Sequence, residues 1–182
     1  MSEYTFALHA GSLADTHAIA AAVARLARPG DIIVLSGEMG AGKTAFAQGF
    51  GRALGVTDPI TSPTFTLVHS YPIDDGPKAG KVTLHHADLY RLERTAEVAD
   101  LALRELAEFA GIVLVEWGDV VELFGDHLVI RLSPTDDESD DDESDDPALS
   151  LDGARRIEIG VVGPSWAGRW QALLDDVAAY RC

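Results

Sequence analysis

The hydrophobic positions of the chain alternate between short apolar runs and segments in which apolar residues recur every three or four positions. A short continuous apolar run predicts a buried strand, and the longer period predicts a helix that packs on the sheet. Alternation of the two predicts an α/β fold in which helices cover both faces of a sheet. Strands are predicted at residues 4–8, 31–36, 65–73, 81–87, 112–115, 127–132 and Arg155–Val162, and helices at Leu13–Leu26, Lys43–Leu54, 95–109 and 165–180.

Capping and turn residues set the boundaries of these predicted elements. Ser12 is suited to the N-cap of the first helix, since its hydroxyl can accept a hydrogen bond from the first turn. Gly55 is suited to the end of the second helix, where a glycine adopts the left-handed backbone that closes it. Residues 74–80 (DDGPKAG) are typical of a turn, so the strands on either side are predicted to form a hairpin.

Length, charge and cysteine content narrow the class of protein. A chain of 182 residues is near the usual size of one domain, and we expect a single one. The net charge is −16, and nine acidic residues lie between Asp136 and Asp146, so the rest carries about −7. Residues 134–149 are too charged to pack and are predicted to form a mobile loop. No Lys/Arg cluster is present, which argues against tight, direct binding of nucleic acid by this chain.

The chain has one cysteine, Cys182, which excludes a disulfide framework within it. Its first residues lack the basic start and apolar run of a signal peptide, and no apolar stretch approaches the roughly 20 residues that cross a bilayer. We therefore expect a cytoplasmic protein that does not bind a membrane.

The segment GEMGAGKT at residues 37–44 matches the phosphate-binding pattern G-x-x-x-x-G-K-[ST] at every fixed position. Its glycines allow successive N–H groups to converge on phosphate oxygens, the lysine supplies a positive charge, and the threonine offers a hydroxyl to magnesium. A predicted buried strand precedes the pattern and a predicted helix follows it, and the helix adds its positive end. The residues predicted to bind ATP are Gly37, Glu38, Met39, Gly40, Ala41, Gly42, Lys43 and Thr44, with Lys43 also acting in catalysis.

A magnesium ion at such a loop needs a carboxylate at the end of a neighbouring strand. Asp88 and Glu116 are the two candidates, because each directly follows a predicted strand. We expect both in the site, with Glu116 holding the metal and Asp88 either sharing it or orienting the attacking water. His85 and His86 lie beside Asp88, but adjacent strand residues point to opposite faces, which disfavours a zinc site.

Hydroxyl residues lie between the second predicted helix and the next strand, at residues 61–64 (TSPT). Loops that sense the γ-phosphate are often found at this place in the architecture, so Ser62 and Thr64 are candidate nucleotide-binding residues. A proline-stiffened turn without any such role explains the same residues.

The motifs GEMGAGKT, SPTF, HADLYR and VEW, in this order and on these elements, resemble those of the bacterial tRNA threonylcarbamoyladenosine biosynthesis ATPases of the TsaE type. The resemblance covers about residues 5–132. It implies a three-layer P-loop NTPase-like fold with a mixed, mainly parallel sheet, and a weak ATPase that uses ATP and Mg²⁺. It also implies action in a complex with two partner proteins, of the TsaB and TsaD type, which modifies the adenosine next to the anticodon. Contact with tRNA would be indirect.

The resemblance also implies roles for individual residues. Residues 37–44 would bind ATP, Thr44 and Glu116 would hold magnesium, and Asp88 would serve hydrolysis. Ser62 and Thr64 would form a switch, and Trp117 would pack beside the site. Arg155 or Arg156 would correspond to a basic residue that the family often has near the nucleotide.

Three other functions share parts of this pattern. A GTPase would select guanine with an N-K-x-D motif, but the chain contains no Asn. A small-molecule kinase usually has several arginines in a lid, and here Arg91, Arg94 and Arg104 form the only compact group. A nucleotide-binding switch or assembly module without significant turnover of its own remains the alternative.

Overall fold

The computed structural model describes residues 4–63, 68–89, 96–116, 125–135 and 153–182, with the backbone alone at 96–101. Seven strands and four α-helices occur within these ranges. The strands are β1 (Thr5–Ala10), β2 (Ile32–Ser36), β3 (Val68–Pro72), β4 (Thr83–Asp88), β5 (Gly111–Glu116), β6 (His127–Pro134) and β7 (Arg155–Val162); the helices are α1 (Leu13–Leu26), α2 (Lys43–Leu54), α3 (Ala96–Glu108) and α4 (Trp170–Asp176).

The seven strands form one mixed sheet in the order β1-β7-β6-β2-β5-β4-β3. Strand β2 pairs in parallel with β5 and with β6, and β4 pairs in parallel with β5. The pairs β1–β7, β6–β7 and β3–β4 are antiparallel. Five strands therefore run in one direction, and only β3 and β7 oppose them. The predicted α/β class with a mostly parallel sheet is confirmed, and the carboxyl ends of β2, β4 and β5 lie at the same edge.

Two hydrophobic clusters cover the two faces of this sheet. Every residue of β2 is buried, which explains its unbroken apolar sequence. Its side chains alternate in direction, so Ile33 and Leu35 pack in the cluster formed with α1 and α2. Ile32 and Val34 pack in the second cluster, which includes Leu103 of α3. Strand β2 thus lies in the middle of a three-layer arrangement, with its end directed towards the loop at residues 37–42.

The predicted boundaries near this loop agree with the structure. The Ser12 hydroxyl accepts a hydrogen bond from the Asp15 N–H at 3.2 Å and caps α1. Gly55 ends α2 with φ of 100°, and a Cβ there would lie 2.0 Å from the carbonyl oxygen of Asp75. The predicted hairpin is also confirmed, since β3 and β4 pair in antiparallel register on either side of residues 74–80.

The C-terminal segment differs from the single helix predicted at residues 165–180. It contains α4 flanked by short 3₁₀ turns at Ala167–Arg169 and Ala178–Tyr180. The Arg169 guanidinium donates to both carboxylate oxygens of Asp31 and to the Leu26 carbonyl, and it lies 4.0 Å from the ring centre of buried Trp166. Trp166 and Arg169 are three residues apart, and a 3₁₀ turn brings residues at this spacing onto the same side of the chain.

Some sequence predictions lie outside the described residues. These are the first part of the strand predicted at 65–73, the position of Thr64, the position of Trp117 and nearly all of the acidic segment 134–149. Pro134 itself is the last residue of β6. No helix in the described part of the chain is long and apolar enough to span a membrane.

Candidate nucleotide and metal site

The loop between β2 and α2 needs glycine at two positions where the chain passes close to other strands. A Cβ on Gly37 would lie 2.3 Å from the carbonyl oxygen of Leu132, and a Cβ on Gly42 would lie 2.6 Å from the Arg155 Nε. Both glycines also have positive φ, 142° and 99°. The loop can therefore lie against β6 and β7 only because these residues have no side chain.

The first turn of α2 is open to an anion. Gly42 is the N-cap and contributes no side-chain hydrogen bond, and the first turn contains no acidic residue. The N–H groups of a first helical turn have no partner inside the helix, and the helix dipole places partial positive charge there. This end of α2 lies at the carboxyl edge of the sheet and has the properties of a phosphate-binding helix terminus.

Lys43 holds its charge inside the loop. The side chain is 95 % buried, and its Nζ donates to the carbonyl oxygens of Gly37 and Glu38 at 2.8 Å each. A buried ammonium is stable only when its donors are used. Around it, Ala41 is buried, while Glu38, Gly40 and Met39 are exposed at the tip of the loop, where they contribute backbone to any ligand.

Asp88 and Glu116 are the last residues of β4 and β5 and lie opposite each other in the parallel register. Glu116 follows Ile112 and Leu114 on the sheet face that packs on α1 and α2. Both carboxylates thus lie at the ends of adjacent strands, where the sequence led us to expect them. Glu116 is buried, whereas Asp88 is half-buried and more open to solvent.

Glu116 contacts two described side chains from different elements. The Thr44 hydroxyl lies 3.5 Å from its Oε1, at the outer limit of a hydrogen bond. The ring of His86 lies much closer, with 2.8 Å between Nε2 and the same oxygen. A threonine from α2 and a carboxylate from β5 therefore meet at the point where the loop ends.

Asp88 is joined to the segment that precedes β3. The Ser62 hydroxyl donates to Asp88 Oδ2 at 3.2 Å. The Gln48 side chain donates to the Ile60 carbonyl at 3.2 Å, and the Tyr71 hydroxyl accepts from the Thr61 N–H at 3.3 Å. The structure thus brings Ser62 into the site. Thr64 and Trp117, the other two residues predicted there, lie outside the described residues.

Two basic residues that the resemblance treats together have different surroundings. Arg155 is buried against Gly42, and burial lowers the pKa of its guanidinium. Arg156 points to the other face of β7 and forms an exposed ion pair with Glu158 at 3.0 Å. Arg155 therefore lies against the end of the loop at Gly42, whereas Arg156 lies on the opposite face of β7.

His86 is the buried site contact to which the sequence analysis assigned no role. It shares a strand face with Asp88, two residues on, and this spacing was the signal that could have identified it. The neighbouring His85 contacts Ser70 instead, with 2.8 Å between Nδ1 and Oγ, and burial lowers its pKa. The two adjacent rings point to opposite faces, as predicted.

A cleft of about 780 Å³ opens beside the start of the loop. It is lined by Gly37 and Glu38, by Arg131 and Ser133 of β6, and by Arg156 of β7. This volume falls within the range of sites that receive small molecules. The cleft lies on the β6 side of β2, whereas Asp88 and Glu116 lie on the β5 side.

Comparison with known proteins identifies one family. The model of the family described as "Threonylcarbamoyl adenosine biosynthesis protein TsaE" matches residues 10–143. This range includes the loop at residues 37–44, Ser62, Asp88 and Glu116.

Curated relatives carry the same description. A "tRNA threonylcarbamoyladenosine biosynthesis protein TsaE" from Bacillus subtilis is 43 % identical over 108 residues, which are 59 % of this chain and 63 % of that protein. The protein of that name from Streptomyces coelicolor is 37 % identical over 149 residues, 80 % of this chain and 89 % of its own. The chain thus spans a little under two thirds of the first relative and most of the second.

A solved structure is similar over nearly the whole chain. The crystal structure of Bacillus subtilis YdiB superposes with a TM-score of 0.64 at 27 % sequence identity. The match covers 98 % of this chain and 97 % of the other.

Proposed function

Since the chain belongs to the TsaE family of threonylcarbamoyl adenosine biosynthesis proteins, we propose that it is the subunit that binds and hydrolyses ATP in the machinery that makes threonylcarbamoyladenosine in tRNA, next to the anticodon. The observation that carries the proposal is the meeting of Lys43, Thr44, Asp88 and Glu116 at one edge of the sheet. A phosphate-binding loop and two carboxylates on adjacent strands are the parts that ATP hydrolysis requires.

The fold supports this proposal because the strand, loop and helix around residues 37–44 are arranged as in a P-loop NTPase. A central parallel strand, β2, leads into the glycine loop and directly into α2. Ligands of open α/β sheets bind outside the carboxyl ends of parallel strands, and this loop lies there. The first-turn N–H groups of α2 and the Lys43 ammonium would bind the β- and γ-phosphates.

The donor set suits Mg²⁺. Thr44 provides a hydroxyl oxygen and Glu116 a carboxylate oxygen, and hard oxygen ligands of this kind are those that Mg²⁺ prefers. Bound Mg²⁺ would neutralise negative charge on the phosphate oxygens during transfer. The contact between Thr44 and Glu116 favours Glu116 as the protein carboxylate of the metal, with Asp88 close enough in register to share it.

Asp88 would orient the attacking water. It is half-buried and open to the site, and Ser62 holds one of its oxygens. A positioned carboxylate can accept the proton of a nucleophile as the bond to the phosphorus forms. Gln48 and Tyr71 hold residues 60 and 61 in place, and the bond from Ser62 to Asp88 supports the proposal that Ser62 acts as a switch residue.

The nucleoside half of ATP would lie in the cleft beside β6. The carboxylates lie on the β5 side of the loop, so we propose that a triphosphate whose γ-phosphate faces them extends its nucleoside towards the opposite, β6 side. The cleft lined by Gly37 and Ser133 is on that side and is large enough for a nucleoside.

We further propose that the protein is cytoplasmic and works with two partners of the TsaB and TsaD type, with tRNA reached through them. Steady-state phosphate release, measured with and without these partners and tRNA, tests the function. We expect slow release from the chain alone, faster release in the complex, and preference for ATP over GTP. ATP binding without turnover in the complete mixture would favour the non-hydrolysing switch, and absence of ATP binding would overturn the proposal.

A further inference from the structure

We propose that His86 is a positioning residue that fixes the orientation of the Glu116 carboxylate beside Thr44 by donating its Nε2–H to Oε1. This inference rests on the proposed function, because it assigns Glu116 to the metal. It assigns a role to a buried side chain, 2.8 Å from Glu116, that the ATPase mechanism itself does not use.

The strand register creates this contact. His86 lies opposite Leu114 on the neighbouring strand, and Glu116 is two residues further along on the same face. The side chains of His86 and Glu116 are 0 % and 3 % exposed. Since β4 and β5 are both held in the sheet, neither side chain can turn away without disturbing the core around it.

The hydrogen-bonding pattern identifies His86 as the donor. Its second nitrogen, Nδ1, is buried and has no hydrogen-bond partner among the described residues. A tautomer with its only proton on Nδ1 would leave a buried N–H unpaired and set the lone pair of Nε2 against the carboxylate, and both arrangements are unfavourable. A proton on Nε2 makes the ring a donor to Glu116.

The geometry at Glu116 gives the contact a consequence for the metal. Both hydrogen bonds from described residues, those of His86 and Thr44, reach the same oxygen, Oε1. The bond from His86 therefore restrains the same oxygen of Glu116 that lies beside the Thr44 hydroxyl. Side chains that hold a metal ligand in this way set its orientation without touching the metal.

Core packing alone does not explain a histidine at this position. Leu84 lies two residues earlier on the same face, fully buried, and a leucine at position 86 would fill the same layer without an unpaired nitrogen. The imidazole leaves Nδ1 without a partner within the described ranges, and it gains the bond to Glu116.

The test measures binding of Mn²⁺ to the full chain saturated with a non-hydrolysable ATP analogue, by electron paramagnetic resonance. Loss of such an outer contact typically weakens metal affinity about 10- to 100-fold, so we expect at least about tenfold weaker binding for His86→Leu. His86→Gln, whose amide nitrogen reaches approximately to Nε2, should keep most of the affinity, whereas His86→Asn should not. His85→Leu is the matched control, because His85 contacts Ser70 on the opposite face, and its affinity should equal that of the wild type.

Two further measurements distinguish a failure of the role proposed for His86 from a failure of the proposed function on which it rests. Affinity for the analogue without metal should be unchanged in His86→Gln and His86→Leu. In a Glu116→Ala background, His86→Leu should weaken Mn²⁺ binding no further, because a residue that acts through another has no separate effect.

Each outcome decides one of the two proposals. Wild-type affinity in His86→Leu, or equal affinities in His86→Gln and His86→Asn, would overturn the role of His86. If His86→Leu does not fold, the comparison of the Gln and Asn variants decides. Absence of Mn²⁺ and analogue binding by the wild-type chain would instead overturn the proposed function.

Discussion

The Thr44 hydroxyl lies 3.5 Å from Glu116 Oε1, although 72 positions of sequence separate the two residues. The first belongs to the start of α2 and the second to the end of β5. They meet because β2, which leads into α2, pairs in parallel with β5, so both chain segments arrive at the same edge of the sheet.

Replacement of Lys43 by alanine should weaken ATP binding strongly. Loss of a hydrogen bond to a charged group typically costs about 1.5–3 kcal/mol, which corresponds to roughly 10- to 150-fold in affinity. Titration calorimetry with ATP and Mg²⁺ measures the change. Lys81→Ala removes the same charge from an exposed position in the β3–β4 hairpin and should bind as the wild type does. Equal affinities for the two variants would contradict the assignment of Lys43.

Replacement of Glu116 by alanine should reduce turnover more than ATP affinity. Removing one group that stabilises developing charge commonly lowers kcat by on the order of 10²–10³. The measurement is partner-stimulated phosphate release together with ATP affinity. Asp176→Ala, in which an exposed carboxylate paired with Arg25 is removed, serves as the control. Unchanged stimulated hydrolysis in Glu116→Ala would show that the metal assignment is wrong.

Replacement of Gly42 by alanine should destabilise the protein more than replacement of Gly40. Both glycines have positive φ, which strains any other residue by about 1–3 kcal/mol. Only at position 42 would the new Cβ also collide with the Arg155 side chain; at position 40 it meets nothing within 4 Å. Thermal unfolding of the two variants should give the lower Tm for Gly42→Ala, and the reverse order would show that the contact with Arg155 is not restrictive.

Replacement of Arg169 by methionine should cost about 3–5 kcal/mol of unfolding free energy, because it leaves Asp31 as an uncompensated buried carboxylate. Urea denaturation measures this loss. Arg25→Met breaks the exposed pair with Asp176 and should cost no more than about 1 kcal/mol. If both variants lose a similar amount of unfolding free energy, the buried Arg169–Asp31 pair stabilises the protein no more than the exposed Arg25–Asp176 pair does.

Replacement of Ser133 by tryptophan should separate recognition of the nucleoside from recognition of the phosphates. The indole would occupy the cleft beside Gly37, so ATP affinity should fall about tenfold or more, which is about 1.4 kcal/mol. Binding of inorganic tripolyphosphate should be unaffected, since the loop itself is unchanged. Ser133→Ala is the control. A parallel loss of tripolyphosphate binding would place the effect in the loop rather than in the cleft.

The sequence predicted the parts of the site that depend on local patterns. The strand before Gly37, the helix from Lys43 and the acids that end β4 and β5 are each encoded within a few neighbouring residues. The hydrophobic period of each of these elements, together with the residues at its ends, therefore predicted its position to within about three residues.

Contacts between distant segments were not predictable in the same way. The approach of Arg155 to Gly42 depends on β7 lying beyond β6 in the strand order, which no local pattern specifies. The bond between His86 and Glu116 depends on the register of two strands. The turn before α4 contains Arg169, whose contacts with Asp31 join segments far apart in the sequence, and helical period alone gave one longer helix there.

Lys43 is already ordered by the carbonyl groups of Gly37 and Glu38. A lysine that is free in water loses up to about 2 kcal/mol of rotamer entropy when a ligand immobilises it. Here that loss has occurred during folding, so a phosphate that bound at this loop would meet a lysine already in place. Binding and release of a nucleotide would then require little reorganisation of the Lys43 side chain.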